Sequence, residues 1–109
     1  MGDEKAKLLQ GTLDVLILKV LQGGPRHGYA LSTWIRETTG GVFDIEDGAL
    51  YTALHRMEKR KWLSAEWGVS ETNRRVKSYS LTTDGREQLE VSADIWSEYS
   101  EAVAKVLQS

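Results

Sequence analysis

The sequence predicts a mainly α-helical chain with a small β-wing: a winged helix-turn-helix followed by a dimerisation helix. Three stretches carry this prediction. Asp47–Lys59 has Leu50, Leu54 and Met57 at i, i+4, i+7, an amphipathic helical spacing. Two strand-like runs follow it directly, Trp62–Trp67 and Val76–Leu81, joined by the polar loop 68–75 with Arg74 and Arg75 near its end. A last apolar pattern repeats every seven residues through Leu89, Trp96 and Val103. Helix plus hairpin with a basic loop is the layout in which one helix enters the major groove and the wing follows the backbone.

The elements follow in order. Gln10–Gln22 reads as a first helix, and its run Leu13, Val15, Leu16, Ile17, Leu18, Val20, Leu21 leaves so little polar face that cover on most sides is expected. Gly23-Gly24-Pro25 ends it. A second helix opens at His27-Gly28-Tyr29 and runs to Thr39, with Gly40-Gly41 at its C-terminus. Val42–Ile45 is long enough for one short strand, expected as the third strand beside the wing hairpin, and Asp44 or Asp47 is expected to cap the helix after it.

That third helix carries Tyr51, Thr52, His55, Arg56 and Lys59 on its polar face, with no carboxylate among them. Donors and cations gathered on one face suit a DNA groove, where base edges and phosphates both accept. The alternative is an amphipathic helix with a merely basic exterior. Trp34, Trp62 and Trp67 are read as core residues.

Thr82-Thr83-Asp84-Gly85 starts the last helix, with a threonine hydroxyl as cap and Asp84 in the first turn. It is expected to run to about Val106, a length of ~36 Å. Its heptad seam is Leu89, Trp96, Tyr99, Val103 and Val106, flanked by a second stripe of Val91, Ile95, Ala102 and Leu107. Two stripes on so long a helix predict that one packs at home and the other on a second chain. The alternative is one broad stripe on the parent domain. Residues 1–82 are thus assigned to DNA binding and 83–109 to dimerisation.

The totals agree. A chain of 109 residues buries only about 60–65 % of its unfolded surface alone, so an added interface helps it. The net charge is −2, but residues 51–77 hold seven Lys/Arg against three Asp/Glu, a local +4, and residues 82–109 hold two against six, a local −4. Such a molecule can turn a basic face to phosphate. With no cysteine, disulfides and thiol chemistry are excluded. The charged N-terminus has no signal-peptide pattern, and the run at Leu13–Leu21, broken by Asp14 and Lys19, is too short to span a bilayer. A cytoplasmic protein without a membrane partner is expected.

Enzyme chemistry finds no constellation here: no nucleophile elbow and no glycine-rich phosphate loop. His27 and His55 lack the companions of a metal site, so neither metal nor cofactor is expected. An effector pocket is expected at the dimer two-fold, with Trp96 stacking on a planar aromatic compound. Ala93 and Ser100 are small enough to leave room beside the indole, Leu8 and Val15 would floor the space, and Asp14 would favour cationic ligands. Alternatively Trp96 is a closed interface anchor.

The motifs Gly11-x-Leu13-x-x-Leu16-Ile17-Leu18, His27-Gly28-Tyr29, Ala49-Leu50-Tyr51-x-x-Leu54-x-Arg56-Met57-Glu58 and Arg75-x-Lys77-x-Tyr79-x-Leu81-Thr82-x-x-Gly85 together resemble the PadR family of transcriptional regulators. The resemblance covers the whole chain in order. It implies a dimeric winged-helix repressor on a palindromic operator, its terminal helix crossing onto the partner's N-terminal region. The short C-terminal part with Trp96 is similar to the branch that senses flat multidrug-like compounds. The implied DNA surface is Tyr29, Tyr51, Thr52, His55, Arg56, Lys59, Arg74, Arg75 and Lys77. Ala49, Thr52 and Lys61 depart from the commoner Ser/Thr, Pro and Gly, and lysine tolerates the turn geometry expected at 61 poorly. A winged-helix module that binds protein, with Arg74, Arg75 and Lys77 as a solvated face, is the other reading.

Overall fold

The computed structural model describes residues 12–109. Among these described residues four helices, α1 (Leu13–Leu21), α2 (Gly28–Thr38), α3 (Asp47–Lys59) and α4 (Thr83–Gln108), combine with three strands, β1 (Arg26–His27), β2 (Leu63–Val69) and β3 (Arg75–Leu81). Helix α1 sits at the centre, packing on α2, α3, α4 and β3. It buries Leu13, Ile17, Leu18, Val20 and Leu21, with Val15 and Leu16 half-buried against the same core. At ~2 kcal/mol per buried side chain, this one helix contributes on the order of 10 kcal/mol of apolar transfer energy. The expected start at Gln10 lies outside the described residues.

Helix α3 buries Leu50, Ala53, Leu54 and Met57, the expected stripe with Ala53 added. Neither Asp44 nor Asp47 caps it. Glu46 holds the N-cap position without a side-chain hydrogen bond, and Asp47 falls in the first turn, where its charge favours the helix end. At the other end the Trp62 N–H reaches the Met57 carbonyl and the Lys61 N–H that of Glu58, both at 3.0 Å. This Schellman closure requires a left-handed residue, and Lys61 adopts φ 64. Helix α2 closes the same way, through Gly41 N–H to Arg36 O at 2.8 Å and Gly40 N–H to Glu37 O at 3.2 Å.

The sheet is antiparallel with order β1-β3-β2. Its third strand is not Val42–Ile45, as expected from sequence, but Arg26–His27, where Arg26 pairs with Tyr79 and His27 with Ser78. The reason lies in the turn after α2. The Val42 N–H bonds back to the Thr39 carbonyl and the Phe43 N–H to the Thr39 hydroxyl, so both donors serve the helix end. Ile45 still enters the core, while Val42 is exposed. Strands β2 and β3 pair from Leu63↔Leu81 to Val69↔Arg75. The turn between them places Asn73, a residue that tolerates this region, at φ 61.

Thr82 caps α4 as expected, its hydroxyl accepting the Gly85 N–H at 3.0 Å. The same hydroxyl lies 2.6 Å from the Lys61 carbonyl, and the Thr82 N–H donates to the Trp62 carbonyl at 3.1 Å. A β-carbon at Gly85 would stand 2.1 Å from that Trp62 oxygen, so α4 leaves the body against bare backbone. Only Gly85 and Leu89 of α4 are buried. The expectation that one of its two stripes packs at home is corrected. Apart from buried Leu89 the seam (Trp96, Tyr99, Val103, Val106) is exposed, and so is the whole flank (Val91, Ile95, Ala102, Leu107).

Candidate nucleic-acid interface

The polar face of α3 presents Tyr51, Thr52, His55 and Lys59 to solvent. Their common exposure follows from the buried stripe opposite. Tyr51 is braced from below. Its ring lies against Gly28, where an added β-carbon would meet ring carbon Cε1 at 2.8 Å and the hydroxyl at 3.0 Å. The His-Gly-Tyr and Ala-Leu-Tyr motifs therefore meet in space. Tyr29, the next residue along α2, is 73 % exposed.

Arg56 is the residue whose surroundings differ from the sequence reading. Its guanidinium donates to the Asp14 carboxylate of α1, an ion pair between two partly exposed side chains. Arg56 is thus held toward α1, and Asp14 is already matched by a cation, which removes the ground for a free acidic neighbour attracting cationic ligands.

The wing supplies the other cations. Arg74 and Arg75 are exposed at the turn. Lys77 is half-buried, donates to Glu58 of α3 at 3.0 Å, and lies 5.4 Å from the Tyr79 ring centroid. That Glu58 hydrogen bond holds the Lys77 ammonium above its ordinary value of 10.5. Burial pushes the Tyr79 phenol above 10.0, partly offset by the nearby Lys77 charge. The Glu58–Lys77 bridge links the wing to α3, so the two candidate DNA-facing elements are tied by a side-chain contact.

Two tryptophans read as core are not core. Trp34 is 40 % and Trp67 56 % exposed, and only Trp62 packs partly against the core. The indoles are covered by cations: Arg26 stands 5.9 Å from Trp34, Arg60 5.1 Å from Trp62 and Arg75 4.4 Å from Trp67. Large aromatic residues in alternating strands read as core by default, and the β2 alternation did put Trp67 on the inner face. How far that face extends beyond the helical body is a tertiary property with no local signal. Glu58, in sequence only a member of a family motif, takes up Lys77 across 19 positions, a pairing with no local signal.

The described members of the expected effector set are divided between α1 and α4. Leu8 lies outside the described residues, Val15 and Ala93 are half-buried, and Trp96 and Ser100 are exposed on α4. A cleft of about 430 Å³ between α1 and α4 is lined by Lys19, Gln22, Leu89, Glu90, Ala93 and Asp94, sharing only Ala93 with the expected set. Leu89, expected in the dimer seam, belongs to the chain's own core. Trp96, Tyr99, Val103 and Val106 remain on the surface. Among the described residues no three His, Cys, Asp or Glu side chains gather as a metal site, and no helix is long and apolar enough to cross a membrane.

Comparisons with known proteins agree with this geometry. The chain resembles a transcriptional regulator of Clostridium thermocellum with a TM-score of 0.83 and 28 % identity, covering 91 % of this chain and 96 % of that one. A PadR-like transcriptional regulator of Bacillus cereus superposes with a TM-score of 0.81 at 32 % identity, over 94 % and 98 % of the two chains. Uncharacterized protein X of Lysinibacillus sphaericus is 31 % identical over 99 residues, 91 % of each chain. The profile of the transcriptional regulator PadR-like family matches residues 17–91. The chain therefore belongs to the PadR-like family, whose members are DNA-binding winged-helix regulators of transcription and not enzymes.

Proposed function

We propose that the chain acts as a homodimeric repressor on a palindromic operator, with DNA affinity set by a planar aromatic effector held at the dimer two-fold. The observation that carries the dimer is the uncovered apolar seam of α4, Trp96, Tyr99, Val103 and Val106. Heptad-spaced apolar residues in water favour a matching helix or helical groove, and a second copy offers one by symmetry. One α3 per chain then gives two reading heads. Tyr51, Thr52 and His55 read bases or flanking phosphates; Lys59, Arg74 and Arg75 hold the backbone. Footprinting with selected genomic fragments is the test. The expected result is two inverted half-sites about one helical turn, ~34 Å, apart at two chains per duplex. A single unrepeated half-site at one chain per duplex refutes it.

The effector enters through Trp96, whose indole is 46 % exposed at mid-seam with small Ala93 and Ser100 beside it. Two such indoles across a two-fold would take a flat ligand between them. The ligand releases DNA only through different affinity for two spacings of the α3 helices. Planar dyes are expected to bind wild type and to lose affinity in a Trp96→Ala protein that is still dimeric. Equal affinity leaves Trp96 as an interface anchor.

A further inference from the structure

On β2, Leu63, Ala65 and Trp67 alternate onto one face, and opposite them on β3 stand Leu81, Tyr79 and Lys77 in register. Burial declines along this ladder. Leu63 is buried, Ala65 half-buried, and Trp67 56 % exposed. The first two rungs belong to the core and the third extends past it. What meets the Trp67 indole there is charge: the Arg75 guanidinium at 4.4 Å and the Lys77 ammonium at 5.7 Å from its centroid.

We propose that Trp67 is a duplex-contacting residue of the wing, orienting Arg75 toward a phosphate and laying its open face on the adjoining deoxyribose. The proposal rests on the duplex-binding reading of the wing. A guanidinium stacked on an indole keeps its N–H fork free but loses rotational freedom before any ligand arrives, so less is lost when it grips an anion. The chemistry alternates as a DNA strand does. Arg74 and Arg75 offer cations for successive phosphates, and the indole between strand and tip offers a flat apolar surface for the sugar. Lys77 is less available, because Glu58 already takes its ammonium. That bridge joins Lys77, the cross-strand partner of Trp67, to α3, which places the indole on the wing beside the helix that reads the base pairs.

The test uses a random-sequence fluorescein-labelled duplex of about 25 base pairs, long enough for two half-sites, and measures anisotropy over a salt series. Removal of an exposed cation–π platform predicts about 2–5-fold weaker binding for Trp67→Ala across all sequences. Its salt slope stays unchanged because no charge is lost, whereas Arg75→Ala lowers the slope by about one. Trp67→Phe is expected to restore most of the affinity. The emission difference between wild type and Trp67→Phe is expected to change on duplex saturation, a readout that a structural role alone would not move. Wild-type affinity in Trp67→Ala, or a difference emission indifferent to duplex, overturns the proposal while leaving the duplex reading intact. Failure of wild type to bind duplex at any salt overturns both.

Discussion

The Tyr51 ring occupies the space that a side chain at residue 28 would need, with 2.8 Å between ring carbon Cε1 and the β-carbon that Gly28 lacks. Gly28 is the first residue of α2, where helix propensity alone would favour alanine. The atom in the way is the far end of a side chain, so it moves at little cost to the fold. Gly28→Ala is therefore expected to shift the melting temperature by only a few degrees, the effect of about 1 kcal/mol or less. Its cost falls on DNA instead, with duplex affinity reduced several-fold. In a Tyr51→Ala background the same substitution is expected to add nothing, since the ring it displaces is gone. Additive losses in that cycle would show that Gly28 acts through something other than Tyr51.

Arg56 and Asp14 give a prediction of the opposite sign. Asp14 holds the guanidinium toward α1 beside the exposed face of α3. Asp14→Asn keeps the shape but releases one positive charge near the duplex. Non-specific duplex affinity is expected to rise, with the salt slope steeper by up to about one. The fold should lose no more than the ~1 kcal/mol typical of a partly exposed pair. An unchanged slope would mean that Arg56 stays clear of phosphate whether paired or not.

Lys61 sits at φ 64 in the turn that closes α3. A left-handed residue other than glycine costs roughly 1–2 kcal/mol, and the extra freedom of glycine in the unfolded chain returns about half of that. Lys61→Gly is expected to raise stability by about 0.5–1 kcal/mol, read as a higher urea midpoint with unchanged slope. A lower midpoint would show that the Lys61 side chain contributes more than its backbone costs.

Alkaline pH should loosen the wing. Lys77 and Tyr79 both hold their protons more tightly when folded, the first through Glu58 and the second through burial. Below about pH 10 both groups are protonated in folded and unfolded chains alike, and their contribution is present in full. Above it the unfolded chain releases protons first, so stability falls as pH rises through the folded values. Melting temperatures between pH 8 and 11.5 should decline above 10 and decline less in Tyr79→Phe, which removes the buried phenol and also its support of the Lys77 ammonium. Parallel profiles for the two proteins would sink the assignment.

Most of the fold was legible because it rests on periodicity and caps. The i, i+4, i+7 stripe of α3 is buried as read, Gly40-Gly41 closes α2, and Thr82 caps α4. The third strand was misplaced because Val42–Ile45 has strand composition. A two-residue pairing at Arg26–His27 is too short to carry a pattern, and its partner lies some fifty positions away. The polar face of α3 was readable from spacing, but the hold of Asp14 on Arg56 was not, because it joins side chains 42 residues apart. Trp67 was misread for a related reason. Alternation assigns a face of the strand, not whether anything covers it.

The bare backbone contact between Gly85 and Trp62 makes the root of α4 the fulcrum of a lever. A helix of 26 residues is an arm of ~39 Å, so a tilt of about 10° at its root swings the tip by roughly 7 Å. That is near two base-pair steps of ~3.4 Å. In a dimer joined along that arm, a single methyl group at position 85 would be transmitted as a phasing error between half-sites. In such a dimer the spacing of the half-sites would depend on one carbon atom that Gly85 lacks, more than 20 residues from the far end of the arm.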